Sequence, residues 1–333
     1  MNPSPPALES GDQGLAAGVL AGERRSLAKG ITLVESSRRE HQLRAQRLLE
    51  AILPHTGHSL RLGVSGAPGV GKSTFVEALG LCLAGQGHRL AVLAVDPSSA
   101  VTGGSILGDK TRMERLSQHP NAFIRPSPSG GTLGGVAEKT REAMLLCEAA
   151  GYGLIIVETV GVGQSEVAVA GMVDMFMLLQ LPNAGDELQA LKKGIIELAD
   201  MVVINKADLD AGSAELARAQ VQNVLTLLAP ASPHWTPPVL AVSALTGAGV
   251  PELWSEVGRF RTALAASGEF QAKRRRQAVD WMWSLLDSGL RSRFRHHPAV
   301  RERLDQLTAA VSHGAMTPSA AARMLLALAQ EKD

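Results

Sequence analysis

Apolar residues recur along this chain in two rhythms. From about residue 13 to 52 they keep a helical spacing: Leu27, Ile31, Leu33 and Val34, then Leu43, Leu48, Leu49 and Ile52. Arg24, Arg25, Arg38, Arg39, Glu40 and Arg44 lie between them. The pattern predicts two amphipathic helices, broken near Gly30, ended by Pro54 to Gly57 and packed on a larger body. The Pro-rich first dozen residues show no such rhythm. Residues 1–12 are therefore expected to be a disordered tail, and 13–56 a helical extension.

The middle of the chain changes character. Short apolar, β-branched runs recur at Leu60–Val64, Leu90–Val95, Leu154–Val157, Met175–Leu181, Met201–Ile204 and Val239–Val242. Helical patterns separate most of them, at Ser73–Ala84, Gly134–Ala150, Leu188–Ala199 and Ala214–Leu228. Strands that are apolar on both faces and alternate with helices predict an α/β fold, with a mostly parallel sheet flanked by helices over 57–250. Asn121–Arg125 is a further strand candidate inside the long segment from Asp96 to Leu154. A segment of that length is expected to carry functional loops.

Beyond Pro251 the pattern is helical throughout, so 251–333 reads as a C-terminal helical extension. Helices are expected at Leu253–Ala266, Phe270–Phe294, Val300–Val311 and Pro318–Gln330, the last with Thr317 as N-cap and Pro318 at its first position. The run Lys273-Arg274-Arg275-Arg276 reads as a solvated helix face. Trp281 and Trp283 read as core or subunit-interface residues.

Composition narrows the function classes. The chain has 333 residues, 45% hydrophobic and 20% charged, with 33 Lys and Arg against 32 Asp and Glu. This balance gives no overall pull toward nucleic acid or anionic lipid. At 3% aromatics, base-stacking platforms are not expected either. Cys82 and Cys147 suit neither a metal site nor a disulfide framework, which points to a reducing compartment. There is no signal peptide, transit peptide or bilayer-spanning run, so a soluble cytoplasmic protein is expected.

The glycines cluster where chemistry is expected. Gly66-Ala67-Pro68-Gly69-Val70-Gly71-Lys72-Ser73 fits G-x-x-x-x-G-K-[ST] at every required position, follows an apolar strand, and opens a helical run with Ser73 and Thr74. Glycines let backbone N–H groups close around a polyphosphate, and the helix N-terminus adds positive potential. Lys72 is expected to reach the β and γ oxygens, and the Ser73 hydroxyl to ligate Mg²⁺.

The base is expected to be guanine. Asn205-Lys206-Ala207-Asp208 follows the strand Met201–Ile204 and matches N-K-x-D. The Asp208 carboxylate can accept both the ring N–H and the exocyclic amine of guanine, a donor pair that adenine lacks. Asn205 is expected to brace the loop and Lys206 to cover the base. After the next strand, Ser243-Ala244-Leu245 is similar to the S-A-x loop that contacts the guanine carbonyl. Together the two loops favour GTP over ATP.

Three acids, Asp96, Asp109 and Glu158, stand at or after strand ends. A lone acid there is more often a turn cap, but three around a phosphate site point to Mg²⁺ and its waters. Glu158 with Gly161 resembles the D-x-x-G switch with Glu in place of Asp, making the Gly161 N–H a candidate γ-phosphate sensor. No glutamine follows Gly161 directly, and Gln164 is three residues on. Slow intrinsic hydrolysis is expected.

Taken in order, the motifs G-A-P-G-V-G-K-S-T, V-D-P-S-S, G-D-K-T-R-M, R-P-S-P-S-G-G-T-L-G-G-V, E-T-V-G-V-G-Q-S-E, A-G-D-E-L-Q-A-L-K-K-G and N-K-A-D closely resemble the MeaB/ArgK/MMAA family of methylmalonyl-CoA mutase-associated GTPases. The likeness runs from about residue 25 to 330. It implies a homodimeric GTPase chaperone of an adenosylcobalamin-dependent acyl-CoA mutase. Such a protein gates cofactor delivery and protects the mutase from inactivation, and it meets adenosylcobalamin only through that partner. It also implies that Asp96 and Asp109 belong to switch I and Glu158 to switch II. Asp186, Gln189 and Lys192 would belong to an additional switch, with Gln189 and Lys192 at the catalytic centre. Composition and spacing alone reach a Mg-dependent GTPase with extra helices at both ends. By those alone, 186–194 would be a solvated helix start. Two other classes fit the residues less well. N-K-A-D argues against an ATP-using transport-protein kinase, and the His- or Cys-rich stretch of a nickel-insertion GTPase is absent.

Overall fold

A computed structural model describes residues 10–95, 113–126, 133–159, 165–182, 193–228 and 231–329. Three helices come first: α1 (Ser10–Leu20), α2 (Arg24–Glu35) and α3 (Arg39–Ile52). The sheet region then runs β1 (Leu60–Gly66), α4 (Lys72–Gly85), β2 (Leu90–Val95), α5 (Glu114–Ser117), β3 (Ala122–Arg125), α6 (Leu133–Ala149), β4 (Leu154–Thr159), α7 (Ser165–Ala170), β5 (Met175–Gln180), α8 (Lys193–Ile196), β6 (Met201–Ile204), α9 (Ala211–Leu227) and β7 (Val239–Ala241). Four helices close the chain: α10 (Val250–Ala266), α11 (Glu269–His296), α12 (Pro298–Ser312) and α13 (Pro318–Leu328).

The seven strands form one sheet in the order β3-β2-β4-β1-β5-β6-β7, and every pairing is parallel. β2, β4, β5 and β6 are buried along their whole length, as strands covered on both faces must be. On one face Leu62, Val64 and Ile156 pack with Phe75, Val76 and Leu79 of α4. On the other, Ala91, Leu93 and Ile155 pack with Leu146 of α6 and with Leu27, Ile31 and Leu48 of the first helices. The side chain of any strand residue therefore falls to the α4 face or the α6 face by its parity.

Several expectations are corrected. Ser10, Gly11 and Asp12, assigned to the disordered tail, open α1, because Asp12 is buried and receives Arg44 at 2.7 Å. Among the described residues there are three N-terminal helices rather than two. Gly30 lies inside α2, where a Cβ would stand 3.4 Å from Leu146, so this glycine allows close packing of α2 on α6 and breaks nothing. The breaks fall at 21–23, where Gly22 takes φ 74°, and at the extended Ser36. The boundary drawn at 250 cuts through the core, since Leu253, Val257 and Phe260 of α10 are fully buried with α4. The chain divides into two compact units at Met1–Arg274 and Arg275–Asp333.

The basic run is not simply a solvated face. Arg274 grips buried Asp174 through Nε at 2.7 Å and a terminal nitrogen at 2.6 Å, and also donates to the Gly57 and Ser59 carbonyls. Lys273 donates to the Asp174 carbonyl at 2.7 Å and to Asp200 at 3.1 Å. Asp174 and Asp200 precede β5 and β6, so the first turn of α11 is riveted to the amino edge of the sheet. Burial pushes Arg274 toward losing its proton, but Asp174 outweighs it and holds the guanidinium more firmly charged. Glu148 completes this edge. Burial raises its carboxyl, yet Arg61, Ser59 and the Gly57 N–H together hold it below its usual range. In the second unit, Thr317 caps α13 by accepting from Ala320 N at 3.3 Å, and Pro318 fills the first helical position. Among the described residues no helix is long and apolar enough to cross a membrane.

Candidate functional site

The candidate site lies at the opposite, carboxyl edge, where β1, β4, β5 and β6 end side by side. β1 runs straight into the glycine loop. A Cβ on Gly66 would stand 2.4 Å from the Leu179 carbonyl of β5, so only glycine lets the loop leave the sheet this close to its neighbour. Gly71 caps α4 at φ 90°, and a Cβ there would meet Asn205 Nδ2 at 2.8 Å. Val70 N closes the turn onto the Ala67 carbonyl at 3.3 Å, spanning Pro68 and Gly69. Lys72 is buried and lays its ammonium over the loop, donating to the Gly66 and Ala67 carbonyls at 2.7 and 3.2 Å. Ser73 and Thr74 follow in the first turn of α4.

Parity then sorts the strand-end polar groups. Val64 pairs with Glu158, which places Glu158 on the α4 face, and the Ser73 hydroxyl donates to its carboxylate at 2.8 Å. Ser65 and Thr159 fall on the other face and share a hydrogen bond of 2.9 Å. The sequence reading does not single out that pair, although Ser65 stands one residue and Thr159 two residues beyond an apolar run, a readable signal. The α4 face thus presents an ammonium, a hydroxyl and a carboxylate beside a loop of backbone N–H groups, a donor set suited to polyphosphate.

The N-K-A-D segment is joined to that loop by one side chain. Asn205 is buried; its Nδ2 donates to the Val70 carbonyl at 2.8 Å, and its Oδ1 accepts from Ala244 N at 3.1 Å. Its own N–H donates to the Gln180 carbonyl at the end of β5, at 2.8 Å. Lys206 takes φ 62°, the one positive φ of a non-glycine residue among those described. Left-handed backbone at such a residue costs about 1 kcal/mol or more, and here it turns the chain so that Asp208 stands in solvent. Ser243 is buried and caps its loop by accepting from Thr246 N at 3.1 Å, while Leu245 is exposed. Asn205, Lys206, Asp208, Ser243, Ala244 and Leu245 are therefore brought together on the α4 side loops.

Asp96, Asp109, Gly161, Gln164, Asp186, Gln189 and Lys192 lie outside the described residues. Among the described residues no group of three His, Cys, Asp or Glu side chains forms a metal cluster.

A parallel sheet whose central strand runs into a lysine-bearing glycine loop, with that loop tied to an N-K-x-D turn, is the architecture of a P-loop GTPase. The comparisons sharpen the class. The family model described as methylmalonyl-CoA mutase-associated GTPase MeaB matches residues 27–299, and the chain belongs to that family. It is 49% identical to the methylmalonic aciduria type A homolog, mitochondrial, of Mus musculus, over 94% of this chain and 78% of that one. It is 54% identical to the GTPase ArgK of Escherichia coli (strain K12), over 78% of this chain and 79% of the other. A crystal structure described as a LAO/AO transport system kinase superposes with a TM-score of 0.77 at 39% identity, covering 98% of this chain and 99% of that one. The chain is thus a GTPase that binds GTP and GDP.

Proposed function

We propose that this GTPase is a cytoplasmic, Mg²⁺-dependent, homodimeric chaperone of an adenosylcobalamin-dependent acyl-CoA mutase, gating cofactor delivery and protecting the mutase from inactivation. The observation that carries the nucleotide half is the double bridge of Asn205, because it fixes the phosphate loop and both base loops in one frame. In this reading Asp208 selects guanine, the Ser243-Ala244-Leu245 loop meets the base carbonyl, and Lys72 lies along the β and γ phosphates. An ATP-using kinase would have no use for a carboxylate at 208. Kinship with mutase-associated GTPases supports the partner.

Ser73 and Glu158 fit a hard divalent cation, since both offer oxygen and stand 2.8 Å apart beside the loop. Asp96 and Asp109 would complete the set. When bound, Mg²⁺ would neutralise charge on the transferring phosphoryl group. The protein residues hold the nucleotide: the loop amides and Lys72 cradle phosphate, and Gly161 N–H reports the γ position.

A second copy is supported by α11. In the second unit Val279, Met282, Trp283, Leu286 and Leu290 follow one helical stripe and are 46–62% exposed, more apolar surface than a lone helix keeps in water. Sedimentation of Leu286→Glu should give a monomer that still binds GTP, and an intact dimer would place the interface elsewhere.

The coupling is tested by GTP turnover with and without an adenosylcobalamin-dependent mutase. The ratio of the two rates should rise well above one for the wild type and fall toward one in Gln189→Ala and Lys192→Ala. Undiminished stimulation in both variants would leave 186–192 an ordinary solvated helix start.

A further inference from the structure

A cleft separate from the nucleotide site opens between the first three helices. Its volume is about 510 Å³, within the range of small-molecule sites, roughly 300–1,000 Å³. Each helix supplies a different part of the wall. α1 contributes Gly11, Gly14 and Leu15, one helical face, and a Cβ at either glycine would meet nothing within 4 Å. Those two glycines therefore keep the cleft open rather than allow packing. Leu15 with Leu33 of α2 gives the wall an apolar part.

The polar part is cationic. Ser26, Lys29 and Thr32 of α2, and His41 and Arg44 of α3, line the cleft, and among the described residues no carboxylate does. Arg44 is held by buried Asp12, through Nε at 3.1 Å and a terminal nitrogen at 2.7 Å. Its charge is largely balanced there, so it is a fixed wall. Among the described residues Lys29 has no hydrogen-bond or ion-pair partner, and it supplies the uncompensated charge. His41 is oriented by a 2.8 Å hydrogen bond between Nδ1 and the Ser36 hydroxyl, whose oxygen also accepts from Arg38 N at 3.3 Å. The hydroxyl can serve both partners with its proton turned to Nδ1 or by accepting from both. With the ring proton on Nε2, or on both nitrogens, His41 can donate to an anionic ligand.

We infer that this cleft is a binding site for a small organic anion, a phosphate or carboxylate carried on an apolar body. Lys29 and His41 hold the anionic head, and the body lies against Leu15, Leu33 and the two glycines. The site is independent of the mutase reading above and of the nucleotide site.

The test is calorimetric titration of the full chain with its nucleotide site filled by GDP and Mg²⁺. The probes are phenyl phosphate, benzoate and inorganic phosphate. Phenyl phosphate or benzoate should bind one saturable site, more tightly than inorganic phosphate. The tighter of the two names the head group as phosphate ester or acyl carboxylate. Gly14→Leu, whose Cβ meets nothing within 4 Å and whose side chain would occupy the cleft, should abolish that binding. Lys29→Met keeps the stem and removes the charge, and should weaken binding about tenfold, the loss of one charge-assisted contact. GTP kcat/KM should be unchanged in both. Absence of saturable binding by either organic probe would overturn the inference. So would binding that survives undiminished in the Lys29 variant.

Discussion

Asn205 offers the sharpest test of how this site is held together. Asn205→Ala removes the donor to the Val70 carbonyl and the acceptor of Ala244 N, and leaves both of those backbone groups short of a partner. Each such hydrogen bond contributes about 0.5–1.5 kcal/mol net, and each buried group left unsatisfied costs about 1–3 kcal/mol. Water entering the space left by the amide recovers part of that. A loss of about 2–4 kcal/mol follows, roughly 30- to 1,000-fold in Kd if all of it is drawn from nucleotide binding. Neither hydrogen bond reaches toward the phosphate chain end, so GTP and GDP should weaken by the same factor. The variant also removes the nitrogen that a Cβ on Gly71 would meet at 2.8 Å. Gly71→Ala should therefore cost less in the Asn205→Ala background than alone, a coupling that a double-mutant cycle reads directly. Fluorescent GTP and GDP analogues titrated into each variant give the affinities, and melting without nucleotide separates binding from stability. A folded Asn205→Ala protein whose affinity stays within about threefold of wild type, less than one net hydrogen bond, would refute the bracing role.

Asp208→Asn should weaken GTP binding and favour xanthosine triphosphate, whose carbonyl replaces the exocyclic amine; competition between the two nucleotides checks it, and unchanged GTP preference would remove Asp208 as the base reader. Arg274→Met should cost about 3–5 kcal/mol, because it strands the buried Asp174 carboxylate. Adding Asp174→Leu should recover much of that loss in chemical denaturation, and a single variant that loses under about 1 kcal/mol would mark the pair as surface-like.

The sequence by itself determined the elements and the chemistry at their ends. Strands such as Leu90–Val95 and Met201–Ile204 were legible because a strand covered on both faces must be apolar at every position. The glycine loop was legible because its φ angles and close approaches admit only glycine, so the requirement is written residue by residue. N-K-A-D was legible for a similar reason: one carboxylate matches one pair of donors.

What a residue meets across the fold was decided only by tertiary structure. Gly30 looks like a helix break until Leu146 is placed beside it, and Gly22 makes the break instead. Lys273 and Arg274 look like a solvated face until Asp200 and Asp174, 73 and 100 residues earlier in the chain, arrive at the amino edge of the sheet. α10 looks like an appendage because its amphipathic stripe does not name the surface it covers, which is the outer side of α4. Helical periodicity reports that a face is buried and is silent about the partner, since the hydrophobic effect is non-directional. The same holds for Asn205: its position after a strand predicts a base loop, but its grip on Val70 and Ala244 depends on three strand ends meeting at one edge.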